Sequence, residues 1–69
     1  MASLIKNIKA LVSTHKSGEL FEMTVDGNNT VYNQYEFYRS EIAEFKKYLT
    51  DVKVGTFNSG GSWLTGIVK

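Results

Sequence analysis

Side-chain chemistry near neutral pH asks for a nucleophile beside a base, or for two titratable groups whose surroundings drive their roles apart. This sequence has no Cys and a single imidazole, His15. Ser13, Thr14 and Ser17 lie close to His15 in the chain, but sequence neighbours do not converge on one point as the members of a triad must. His15 also falls four positions after Leu11, in line with apolar residues, which predicts a boundary histidine at a helix end. Glu41 and Glu44 stand three apart and would share a helix face, where a carboxylate pair could hold a metal or divide acid and base roles. The commoner use of such a pair is at the positive end of a helix, or paired with Lys46 and Lys47. Asp26-Gly-Asn-Asn29 offers oxygen ligands without the spacing or closing Glu of a calcium loop. Zinc prefers Cys and His, and one His cannot build its site. No catalytic, cofactor-binding or metal-ligating residue is therefore assigned, and the chain is expected not to be an enzyme.

Gly55-Thr-Phe-Asn-Ser-Gly60-Gly61-Ser62 has the glycine and serine spacing of a phosphate-binding loop. Gly61 stands where the phosphate-reaching Lys belongs. Such a loop must also open a helix, and only seven residues follow Ser62. The stretch reads as a hairpin loop.

What remains is recognition chemistry. Tyr32, Tyr35, Tyr38 and Tyr48, with Phe37 and Phe45, gather aromatic area in the stretch from 32 to 48. Aromatics are enriched in interfaces because they bury a large area at low entropic cost and keep a polar tip. The same residues can equally form the half-buried boundary of a small core. Net charge is +1, so the whole-molecule field favours neither nucleic acid nor an anionic membrane, but the charge is blocked. Lys6, Lys9 and Lys16 occupy residues 1–18 with no acid, whereas Glu19, Glu22, Asp26, Glu36, Glu41 and Glu44 face Arg39 alone over residues 19–44. A partner-binding face is accordingly expected at Tyr32, Tyr35, Glu36, Phe37, Glu41 and Glu44, suited to a basic protein. Nucleic-acid binding, with phosphate contacts at Lys6, Lys9 and Lys16, is the alternative. It is weakened because the aromatics sit in the acidic block and the basic segment has none.

The elements that must position these residues follow from periodicity. Leu4, Ile5, Ile8, Leu11 and Val12 make an apolar stripe, predicting a helix over 4–15 with Ser3 as cap and Ser17-Gly18 as stop. Phe21, Met23 and Val25 alternate with Leu20, Glu22 and Thr24, predicting a strand over 19–26 that ends in the turn formers Asp26 to Asn29. Tyr35, Tyr38, Ile42, Phe45, Leu49 and Val52 are spaced 3, 4, 3, 4 and 3, which favours one long helix. A strand over 30–38, followed by a shorter helix capped by Ser40, is the alternative. Residues 52–57 and 62–68 read as a hairpin around Asn58-Ser59-Gly60-Gly61. Both faces of 62–68 are largely apolar, as in an interior strand or one that meets a partner.

The order is α-β-α-β-β, or α-β-β-α-β-β on the alternative: an α+β single domain over 1–69 with a small, mainly antiparallel sheet packed on helices. Hydrophobic residues make up 42% of the chain, which argues against disorder. Apolar runs stop at two or three residues, as at Ala10-Leu11-Val12, so no membrane span is expected. There is no Cys to form a disulfide and the N-terminal residues show no long apolar core of the signal-peptide type, so the expected location is cytoplasmic. With 69 residues the core is small, and self-association is the one common staple left open, for instance through the hairpin carrying Trp63. The Met-initiated chain reads as a complete short frame, of the kind expected of a phage or mobile-element accessory protein. Such a protein inhibits or adapts a host macromolecule by covering its surface, without cofactors; a small structural homo-oligomer is a further alternative.

Overall fold

A computed structural model describes residues 5–27 and 35–69. Over these residues the elements run α1 (Ile8–Val12), β1 (Leu20–Val25), α2 (Arg39–Tyr48), β2 (Leu49–Thr56) and β3 (Ser62–Val68). The three strands form one antiparallel sheet in the order β1-β3-β2. This is the expected α+β arrangement, with the two-sided apolar strand β3 in the centre.

One face of the sheet and both helices make the core. Ile8 and Val12 of α1, Phe45 of α2, and Phe21, Leu49, Leu64 and Val68 of the sheet are all buried together. Phe45 and Leu64 are fully inaccessible. The alternation in β1 works as read: Phe21 and Val25 are buried while Leu20, Glu22 and Thr24 are exposed.

Helix α1 is much shorter than the stripe over 4–15 predicts; Ser3 and Leu4 lie outside the described residues. Asn7 adopts a left-handed conformation (φ 57°), which breaks the helix between Ile5 and Ile8, and Asn tolerates that region better than most residues. The first turn has no acidic residue to meet the helix dipole. At the other end the Ser13 and Thr14 hydroxyls donate to the carbonyls of Lys9 and Leu11, which competes with further helix.

The long helix expected from Tyr35 onward is also corrected. Residues 35–38 are neither helix nor strand, and α2 begins at Arg39. Tyr38, not Ser40, is the N-cap, with extended backbone (φ −68°, ψ 151°). Its N–H donates to Glu41 Oε1 at 2.8 Å, so a glutamate at the third helical position closes the start. The C-terminal end is corrected as well, because Leu49 and Val52 belong to β2. The alternative strand over 30–38 falls largely outside the described residues, and its described part, 35–38, is not a strand.

Strand β2 carries a bulge. Thr50 pairs with Ile67 and Lys53 with Thr65, so Asp51 and Val52 together oppose Gly66. Asp51 takes a positive φ of 55° there. The extra residue exchanges the two faces of the strand. Leu49 points to the core before it; after it, Val52 packs against the core while Lys53 shares the outer face with Thr65.

Candidate functional site

Extended segment 35–38 is built into the molecule at both ends. Tyr35 N–H donates to Gly60 O at 2.8 Å, and the Ser62 hydroxyl donates to the Tyr35 carbonyl, so the segment is tied to the β2–β3 loop. On the helix side the Tyr35 hydroxyl donates to Glu41 Oε1 at 2.6 Å, the same oxygen that receives the Tyr38 N–H. The Tyr35 and Phe37 rings meet edge-on at 5.5 Å, and Phe37 meets Phe45 edge-on at 6.3 Å.

This anchoring divides the residues expected to bind a partner. Tyr35 and Glu41 are buried, at 6% and 4% exposure, and serve as internal supports. Glu36 is exposed, Phe37 and Glu44 are half-buried, and Tyr32 lies outside the described residues. Two shallow clefts, of about 170 and 200 Å³, meet at Glu36. Phe37, Ile42 and Val54 line the first; Thr56 and Phe57 help line the second. Val54 and Phe57 are 44% and 45% exposed, two of the four large apolar side chains that stand open among the described residues. Val54 pairs with buried Leu64 and so lies on the core side of the sheet, with its side chain left largely open.

The arrangement is an apolar rim with a carboxylate at its centre, on a segment hydrogen-bonded at both ends. Sequence reasoning reached Glu36 and Phe37 but missed Ile42, Val54 and Phe57. Val54 and Phe57 read there as ordinary members of a hairpin strand. Nothing local signals that these two side chains stay open in the folded chain.

The other singled-out residues are placed as follows. His15 is half-buried with its ring edge-on to Phe21 at 5.0 Å, and Nδ1 lies 2.9 Å from the Thr14 hydroxyl. Lys6, Lys9 and Lys16 are all exposed, on or beside α1. Residues 57–61 form the β2–β3 connection, with Phe57 N–H donating to Gly61 O and Gly60 N–H to Phe57 O. Among the described residues no group of three or more His, Cys, Asp or Glu side chains gathers to hold a metal. No helix among them is long and apolar enough to cross a membrane. Comparison with known protein families, with curated proteins and with solved structures finds no match to this chain.

Proposed function

We propose that this chain is a non-catalytic binding protein that covers or adapts the surface of a protein partner through the rim around Glu36. The supporting observation is the pairing of open Val54 and Phe57 with an exposed carboxylate on a segment anchored at both ends. Val54 is held in a paired strand and Phe57 in a hydrogen-bonded turn, and open apolar side chains on such pre-shaped backbone favour affinity by limiting the ordering cost of binding. The chemistry suits a partner segment that presents an apolar anchor next to Lys or Arg. A phage-type inhibitor or adaptor of a basic host protein is one form such an activity takes.

Capture from cell lysate, with and without nuclease, tests this reading when wild type is compared with Glu36→Lys and Phe57→Ser. The expected result is a stoichiometric protein that survives nuclease and is lost with both variants, while their thermal melts match wild type. Capture indifferent to both substitutions overturns the assignment of this surface. Capture abolished by nuclease overturns the protein-partner reading and moves attention to Lys6, Lys9 and Lys16.

A further inference from the structure

The second face of the sheet, opposite the helices, carries an ordered pattern of side chains. By register, its central row is Trp63, Thr65 and Ile67 of β3. Leu20, Glu22 and Thr24 of β1 flank that row on one side, and Thr50, Lys53 and Gly55 of β2 on the other. Leu20 is 53% exposed, and Glu22, Thr24, Thr50 and Lys53 are exposed as well. Gly55 leaves room for Trp63: a Cβ at that position would come within 2.3 Å of the indole ring, so the ring packs directly against the glycine.

The charges on this face are placed symmetrically. Glu22 and Lys53 both pair with Thr65, one from each side, so a negative and a positive residue stand at equal offsets from the central strand. Two strand spacings separate their backbones by about 9.6 Å, and their charged ends do not meet in the structure. Neither forms a salt bridge to another described residue. A twofold axis parallel to β3 and lying between two such faces carries Glu22 of one copy over Lys53 of the other, and the reverse. It also sets Ile67 on Ile67, Trp63 on Trp63 and Leu20 over Thr50. The other in-plane twofold, perpendicular to the strands, sets Glu22 against Glu22 and Lys53 against Lys53. Only the first arrangement is free of like-charge contacts, and it is aligned sheet packing, in which a rotation of about 30° still leaves the pairs within reach.

We propose that this chain forms a twofold dimer by packing the Trp63 faces of two sheets together, with reciprocal Glu22–Lys53 pairs fixing the orientation. The patch measures roughly 14 by 20 Å from strand spacing and rise. At about 280 Å² per copy this is well below the roughly 800 Å² per partner of a standard interface, so the dimer is expected to be weak and to form only toward high micromolar concentration. Self-complementarity of one surface is what an isologous contact requires. The surface is separate from the Glu36 rim, so each can fail without the other.

The test is analytical ultracentrifugation of the full chain over a series from low to high micromolar, with Trp63 emission recorded in parallel. Trp63 is the sole tryptophan and reports burial of this face directly. Wild type should dimerise with a concentration-dependent blue shift. Glu22→Lys and Lys53→Glu should each weaken the dimer by about tenfold or more, because each places like charges together at both pairs. The double swap Glu22→Lys/Lys53→Glu should restore it, since the pairs re-form with exchanged sign. Both positions are exposed, so the monomers should melt as wild type. A chain that stays monomeric at high micromolar concentration overturns the proposal. So does a dimer indifferent to the single swaps, or one that the double swap does not rescue.

Discussion

At the scale of single residues, one carboxylate does more than any other side chain to define the candidate site. Glu41 Oε1 accepts from the Tyr35 hydroxyl and from the Tyr38 N–H, joining the extended segment to the start of α2. Removing it leaves one buried donor and one part-buried donor without that acceptor, and each unsatisfied buried group costs about 1–3 kcal/mol. Glu41→Ala should therefore lower stability by roughly 2–4 kcal/mol in urea titrations. Tyr35→Phe should cost only about 1 kcal/mol, because the ring stays and one hydrogen bond goes. Equal effects of the two substitutions would mean that Glu41 does not hold the helix start. Sequence inspection marked both residues, but as partner-facing side chains. Composition and charge cannot distinguish a tyrosine that greets a partner from one whose hydroxyl meets an internal carboxylate.

At the scale of elements, the bulge in β2 decides which residues line the core and which line the outer face. Asp51 holds a left-handed conformation there, which costs a residue with a Cβ about 1–2 kcal/mol. Asp51→Val should destabilise the domain by at least about 1 kcal/mol, since a β-branched residue resists that region most. Asp51→Gly should be neutral or slightly stabilising, as measured by the urea midpoint. If Val is tolerated as well as Gly, the bulge is not where the register places it. Gly55→Ala makes a second prediction for this strand: the added methyl must displace the Trp63 indole, so tryptophan emission should shift to the red. Strands β1 and β3 and the 58–61 turn were readable from alternation and turn chemistry. The helix starts were not, because Tyr35 and Tyr38 keep helical spacing while their backbone is extended.

At the scale of the whole molecule, the core is small enough that one residue can govern its stability. A 69-residue chain has about 3–10 kcal/mol of stability at typical values per residue. Phe45 is fully buried and packs against both Phe21 and Phe37, so truncation to Ala should cost about 3–5 kcal/mol. Phe45→Ala should lose most of its cooperative thermal transition, whereas Phe45→Leu should retain it at a lower midpoint. A midpoint for Phe45→Ala within a few degrees of wild type would place the core elsewhere. Face-to-face dimerisation adds one more expectation at this scale. The melting temperature should rise with protein concentration in wild type and less so in Glu22→Lys, by mass action.

Local patterning alone specified the α+β class and the alternation of β1 and β3. It also determined the hairpin turn at Asn58 to Gly61 and, through the absence of Cys, a fold without disulfide staples. Each of these is local, written in the choice of residues within a few positions of one another. Tertiary structure alone decided where α2 begins, which face of β2 points inward, and that Val54 and Phe57 stand open beside Glu36. Periodicity reports that a residue is buried but not which backbone carries it there. Tyr35 is buried in extended form because Ser62, 27 positions away, and Gly60 hold it. The sign pattern of Glu22 and Lys53 becomes meaningful only once both are registered on Thr65. Contacts between residues that distant depend on how the chain closes on itself, and no window along the sequence contains both partners.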